Sequence, residues 1–326
     1  MKRILGIGNA LVDVITLIDS DTVLEKFSLP KGSMQLVDGE LSARIKSETI
    51  KFKRNLASGG SAANTIHGLS MLGVKTGFIG SVGNDETGDF FENDMKEAGV
   101  STYLSRRNSI TGTAVALISP DSERTFATHL GAAVEMQAED LNPADFKDYD
   151  ILYLEGYLIL NKALVERACS IAKKNNMKIA LDLASYNVVD AKLPDFKEII
   201  ADYVDILFAN EEEAKSFTGF APTEALNALS SVSDTAVVKI GKDGSMIKRG
   251  YEQIKIGTIP VQCVDTTGAG DLYASGFLYG YANGLSLENC GIAGSILAGH
   301  VIEIVGARMD EQRWKKIIKM LGHAMA

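Results

Sequence analysis

The chain is poor in cysteine, tryptophan, histidine and proline. Its 326 residues hold three cysteines, one tryptophan, four histidines and six prolines. Cys169, Cys263 and Cys290 lie far apart and form no CxxC pair. Neither a zinc ribbon nor a disulfide framework is supported, and a reducing cytoplasm is the expected setting. His67, His129, His300 and His323 are scattered, with no HExxH spacing and no Ser/His/Asp grouping, so each reads as structural. No Pro/Ser linker, low-complexity tract or internal repeat breaks the chain, which predicts one domain over residues 1–326.

Long apolar runs are missing too. The longest uncharged stretch near the C-terminal end, 272–287, is 16 residues and rich in Gly, Ser and Tyr. That is short of the roughly 18 apolar residues of a membrane span. Residues 1–8 imitate a signal peptide briefly, but Asn9 and Asp13 interrupt them and no small-residue cleavage site follows, so a first strand is expected there. Positive charge is also short. With 33 Lys and Arg against 42 Asp and Glu, the net charge is −9. No broad basic surface is available for nucleic acid or an acidic membrane. An anionic ligand would have to be bound locally.

What the chain has is an alternating pattern. Short apolar runs at 3–7, 76–79, 151–154, 178–182, 206–209 and 236–240 alternate with amphipathic segments at 61–72, 85–98, 162–175, 211–218, 223–230, 271–282, 287–304 and 311–321. The runs are too continuous for half-exposed strands. Strands buried on both faces and separated by helices predict an α/β, doubly wound, mostly parallel sheet. Strands without intervening helices at 12–18 and 33–37, and at 113–118 and 124–129, break the rhythm. The second pair is joined by the turn sequence Ser119-Pro120-Asp121-Ser122-Glu123. These four are read as a small β-lid inserted from about 12–38 and 112–130.

Several phosphate motifs are absent. No GxxxxGK[ST] loop occurs, and Gly6-Ile7-Gly8-Asn9-Ala10-Leu11 lacks the third glycine of a dinucleotide fingerprint, which counts against a nicotinamide dehydrogenase. The strongest segment is Val264-Asp265-Thr266-Thr267-Gly268-Ala269-Gly270-Asp271, followed at once by an apolar, small-residue helix. Small residues at 268–270 let backbone N–H groups converge at a helix N-terminus, an anion site that needs no lysine. Asp271 is either a helix cap or a general base aimed at a hydroxyl beside a transferring phosphoryl group, and spacing leaves both open.

A second glycine turn, Gly59-Gly60, precedes a helix whose first turn carries Asn64. It is either a tight packing turn or a place for substrate hydroxyls. Asn9 and Asp13 follow the first strand, where ligands of open α/β sheets bind. Asn210-Glu211-Glu212-Glu213 after the run 206–209 is either a solvated helix start or a site for hydrated Mg²⁺. Val238-Lys239-Ile240-Gly241-Lys242-Asp243-Gly244 is a strand ending in a glycine turn.

Together and in this order, these segments resemble the PfkB (ribokinase-like) carbohydrate and nucleoside kinase family, from residue 6 to residue 307. GGSAANTIHGLSMLG looks like the family's first signature and DTTGAGDLYASGF like its second, which is highly specific. NEEE matches its NxxE magnesium motif, and VVKIGKDGS its nucleotide-bordering turn. The resemblance implies an ATP-dependent kinase with Asp271 as base and Gly268, Ala269 and Gly270 as anion hole. It places Asn210 and Glu213 toward Mg²⁺, and Lys239, Gly241 and Gly244 along ATP. It gives Asp13, Gly60 and Asn64 to substrate hydroxyls, with Asn9 near them. Asp265 and Thr267 would help form a K⁺ site, as in some members. Arg124 on the lid is a candidate for substrate or phosphate contact, and equally a surface arginine. Some members pair through their lid sheets and others are monomeric, so the resemblance allows a homodimer through the lid and leaves the oligomeric state open.

Gly8-Asn9-Ala10-Leu11-Val12-Asp13, the block from Gly112 through Arg124 to Ala133, and Tyr153-Leu154-Glu155-Gly156-Tyr157 look more like the adenosine-kinase side of the family. That puts a ribose-bearing nucleoside ahead of a free sugar such as ribose or fructose, which stays an alternative. A non-catalytic sugar- or nucleoside-binding regulator on the same fold would be expected to lose the base or the glycine loop. Both are intact here. The net charge is no obstacle, because backbone N–H groups, a helix N-terminus and Mg²⁺ need no basic surface.

Overall fold

In the computed structural model, which describes residues 1–121 and 123–324, the apolar runs form one large sheet. In chain order the strands are β1 (Ile4–Ile7), β2 (Leu11–Leu17), β3 (Met34–Leu36), β4 (Arg54–Gly59), β5 (Thr76–Gly83), β6 (Ser101–Arg107), β7 (Gly112–Ile118), β8 (Arg124–His129), β9 (Ile151–Glu155), β10 (Lys178–Asp182), β11 (Ile206–Asn210), β12 (Thr235–Lys239), β13 (Ser245–Arg249) and β14 (Glu252–Ile256). The helices are α1 (Thr22–Lys26), α2 (Gly39–Glu48), α3 (Ser61–Met71), α4 (Glu86–Glu97), α5 (Lys162–Lys174), α6 (Tyr186–Tyr203), α7 (Glu211–Thr218), α8 (Pro222–Leu229), α9 (Ala269–Ala282), α10 (Leu287–Val301) and α11 (Glu311–Ala324).

The large sheet has the order β14-β13-β12-β11-β10-β9-β1-β5-β6. From β12 to β6 every pairing is parallel, and β13–β14 adds an antiparallel hairpin at one edge. Successive side chains of each strand point to opposite faces, which splits the core in two. Ile4, Ile151, Tyr153, Ile206 and Phe208 join one layer with α3, α4, α9 and α10. Leu5, Ile7, Leu152, Leu154, Leu207 and Ala209 join the other with α5, α6, α7 and α8. Both faces are covered along β1, β9, β10, β11 and β12, so these inner strands are apolar between their ends, whereas the strands toward the edges, β6, β13 and β14, carry charged residues. Burying one such Phe or Leu contributes about 1.5–3 kcal/mol.

The second sheet has five strands in the order β3-β8-β7-β2-β4. Its first excursion is longer than the expected 12–38 and runs on to Gly59. Arg54-Asn55-Leu56-Ala57-Ser58-Gly59 has no strand pattern of its own, and becomes β4 by pairing with β2, Val12 opposite Ser58 and Val14 opposite Leu56. The turn joining β7 to β8 is closed by the Ser119 N–H donating to the Glu123 carbonyl at 2.9 Å; Ser122 lies outside the described residues. Helix α6 was also unforeseen. It carries Pro194 and is kinked at Lys192, where the backbone leaves helical angles. No helix of the described residues is long and apolar enough to cross a membrane.

Candidate active site

Four neighbouring parallel strands end on a polar residue: Glu155 closes β9, Asp182 β10, Asn210 β11 and Lys239 β12. An apolar run capped by one polar side chain puts that side chain at the strand's C-terminal edge, where the helices no longer cover it. Lys239 Nζ donates to Asp182 Oδ2 at 2.7 Å. Burial opposes the Lys239 charge, but Asp182 and Glu213 outweigh it and raise its pKa.

Asn210 and Glu213 form a capping box at the start of α7. Asn210 Oδ1 accepts the Glu213 N–H at 2.8 Å, and Glu213 accepts both the N–H and the side-chain amide of Asn210 at 2.7 Å. The solvated reading of this helix start fails for Glu213, which is 3 % exposed. Burial, then the nearby Asp182, pushes its carboxyl up to about 7. Two acidic groups crowded beside one lysine would be relieved by a further cation, and their oxygens suit Mg²⁺. Among the described residues no three His, Cys, Asp or Glu side chains converge to ligate a metal directly. The fit is to an ion that keeps its waters.

Helix α9 starts at Ala269, earlier than expected. Its N-cap is Gly268, in the left-handed region at φ 77°, where an added Cβ would lie 2.7 Å from that of Ala307. Asp271 is therefore inside the first turn and does not cap the helix. Its carboxylate accepts from Ser61 Oγ at 2.7 Å and from Asn64 Nδ2 at 2.9 Å, both on α3. Burial pushes Asp271 up to about 6, against these two hydrogen bonds. The Ala269 N–H is taken by the Thr266 carbonyl at 3.1 Å. Among the described residues, the N–H groups of Gly268, Gly270 and Asp271 have no partner.

Two cavities meet here. One, of about 590 Å³, is lined by Asp13, Gly60, Asn64, Phe126, Tyr157 and Asp271, with Asn210 and Glu213 on its wall. The other, about 390 Å³, is more apolar, with Ile259, Val261, Tyr273, Ala298 and Ile302 around Gly241 and Gly244. Lys239, Gly241, Ala269 and Gly270 border both. None of the four histidines borders either.

Asp13 faces the first cavity from β2. Burial pushes its carboxyl up to about 6, Arg308 pulling it down and Asp271 pushing it further up. Gly60 is required by geometry: φ is 99°, and a Cβ would lie 2.1 Å from the Asn9 carbonyl oxygen. Asn9 does not line the cavity. Its N–H and side-chain amide donate to Glu155 Oε1 at 2.9 and 2.6 Å, while Glu155 Oε2 takes the Ala62 N–H at 2.9 Å. A carboxylate only 1 % exposed needs these donors, and Asn9 is spent on them. Burial holds Glu155 up at about 7.

Arg124 is neither a free surface arginine nor part of the cavity wall. It reaches from β8 to Asp265, with which it forms an ion pair, and donates to Thr267 Oγ1 at 3.3 Å and to the Val264 carbonyl at 2.9 Å. The two residues expected to hold K⁺, Asp265 and Thr267, are thus engaged by a guanidinium in this structure.

Asp182, Ser61, Glu155, Phe126 and Tyr157 carried no site assignment from sequence. Asp182 had a signal: it ends its apolar run in the manner of Asn210 and Lys239. Ser61 and Phe126 had none beyond their place in a motif.

A model of the pfkB family carbohydrate kinases matches residues 40–313. A nucleoside kinase of Methanocaldococcus jannaschii is 28% identical over 326 residues, covering 98% of this chain and 97% of that protein. An uncharacterized sugar kinase of Archaeoglobus fulgidus is 30% identical over 250 residues, covering 74% and 96%. The crystal structure of adenosine kinase from Sinorhizobium meliloti superposes with a TM-score of 0.87 at 34% identity, covering 98% of this chain and 99% of that one.

Proposed function

This chain belongs to the pfkB family of carbohydrate kinases, which are ATP-dependent phosphotransferases, and from that premise we propose that it phosphorylates a primary hydroxyl of a ribose-bearing nucleoside. The observation that carries the reading is the placement of Asp271. Its partly buried carboxylate lines the larger cavity beside the wall shared with the smaller one, in a helix first turn where the N–H groups of Gly270 and Asp271 have no partner among the described residues.

The smaller, apolar cavity takes the adenine end of ATP, with Gly241 and Gly244 letting the backbone pass close to the nucleotide. The triphosphate points to the shared wall, where Lys239 and the N–H groups of Gly268, Gly270 and Asp271 receive its charge. Asp271 takes the proton of the acceptor hydroxyl as its oxygen bonds to the γ-phosphorus. The bond from that phosphorus to the β–γ bridging oxygen breaks, and ADP leaves with the electron pair. Ser61 and Asn64 hold the carboxylate in place, and both can reorient to bond its protonated form. Asn210, Glu213 and Asp182 would hold Mg²⁺ through waters, and bound Mg²⁺ neutralises phosphate charge. The small sheet acts as a lid that excludes water, a competing acceptor.

Asp13 accepts from a ribose hydroxyl in the larger cavity, whose wall Asn64 shares. Phe126 and Tyr157 border the same cavity and offer flat apolar surface for a base, which a free sugar lacks. The names of the nucleoside and adenosine kinases to which the chain is similar support the same class. A coupled ADP-release screen over adenosine, inosine, ribose, fructose and ketodeoxy sugar acids tests this. A purine nucleoside with the highest kcat/KM is expected; preference for a free sugar would overturn the substrate class.

A further inference from the structure

Asp265 is 2 % exposed and sits three residues ahead of Gly268. Its oxygens accept the Thr267 N–H and the Gly306 N–H, both at 2.7 Å, so it ties the loop before α9 to the loop between α10 and α11. A buried carboxylate that accepts two N–H bonds still calls for a positive partner. The Val264 carbonyl, the Thr267 hydroxyl and this carboxylate all turn toward one point, and the Arg124 guanidinium fills it. Arg124 comes from a different sheet, at the start of β8 in the small sheet.

We propose that Arg124 is the built-in counter-cation of Asp265, standing in place of a dissociable monovalent ion and making the set of the Gly268–Gly270 loop depend on the position of the small sheet. A free ion would stabilise this loop whatever the small sheet did. A guanidinium carried by the sheet stabilises it only when the sheet is down, so sheet closure and loop ordering become one event. The proposal rests on the kinase reading only in taking this loop as the anion-binding element. Arg124 acts through Asp265 and is a positioning residue.

Hydrogen exchange on the ligand-free full chain, in KCl against tetramethylammonium chloride at equal ionic strength, tests it. Wild-type protection of the hydrogen-bonded amides of Asp265, Thr267 and Ala269 is expected to be indifferent to K⁺. In Arg124→Ala the same amides should exchange at least about tenfold faster, with K⁺ restoring protection and Arg124→Lys retaining most of it. K⁺-dependent protection in the wild type, or unchanged exchange in Arg124→Ala, overturns the proposal. The wild-type arm needs no variant, so misfolding of Arg124→Ala does not shield it. Exchange is read without substrate, so a chain that phosphorylated none of the tested acceptors would sink the substrate reading and leave this test standing.

Discussion

Lys239 and Asp182 meet at 2.7 Å across the ends of two strands that have β11 between them. Both are largely buried, at 14 and 5 % side-chain exposure. The pair thus clamps the strand ends from which the site is built, and it sets the charge beside Gly270, whose added Cβ would come within 3.1 Å of the ammonium.

Lys239→Met leaves Asp182 buried without its cation. A loss of about 3 kcal/mol in unfolding free energy is expected, along with a raised KM for ATP. The double variant with Asp182→Asn should recover part of the stability but not the KM. Urea unfolding of the four proteins of this cycle reads the coupling. Additive losses would show that the pair does not act as a unit.

Asp271→Asn keeps the shape of the side chain. Ser61 can turn its hydroxyl to accept, and the Asn64 amide can flip, so folding and ATP binding should be near normal. Turnover should drop by about 10²–10⁴-fold, the range a general base contributes. Near-normal turnover would remove Asp271 from the base role.

The pH dependence has a definite sign. Burial holds Asp271 up at about 6, so activity should rise with pH through about 6 and then level off, and the limb should vanish in the Asn variant. Stability should move the other way. Asp13 and Asp271 sit near 6, and Glu155 and Glu213 near 7, against 3.8 and 4.5 in the unfolded chain. The native state therefore binds more protons across that interval. The ligand-free protein should lose stability as pH rises from the unfolded values to the folded ones. Urea midpoints measured along that interval decide the sign; midpoints that climb with pH contradict it.

Gly268→Ala puts a Cβ on a residue at φ 77°, 2.7 Å from the Ala307 Cβ. Strain of about 1–3 kcal/mol is expected, and the loop can relieve it only by moving its N–H donors. Phosphoryl transfer should fall much more than the melting temperature does. Gly250→Ala, also at positive φ but with open space around its Cβ and outside both cavities, serves as the control with the smaller loss.

Glu155→Ala removes the acceptor of the Asn9 N–H, the Asn9 amide and the Ala62 N–H. Each orphaned buried donor costs about 1–3 kcal/mol, so thermal unfolding should fall steeply. An unshifted melting temperature would mean that water replaces the carboxylate there.

The chain's own order determined whatever depends on neighbours in sequence. Continuous apolar runs between helices require a sheet covered on both faces, and glycines ahead of an apolar helix place N–H donors on one point. The loop 268–271, the ends of β11 and β12 and the glycine turn at 241–244 were legible for that reason. Pairings over long separations were not. Asp182 meets Lys239 across 57 residues, and Asn9 turns to Glu155 across 146. The polar β4 is a strand only because β2 offers it a ladder. The fate of Arg124 was decided the same way. A hairpin arginine has many partners open to it in sequence, and the folded chain pairs it with the buried carboxylate of Asp265. Local geometry is written in adjacent residues; a buried charge finds its partner only when tertiary packing has excluded water from both.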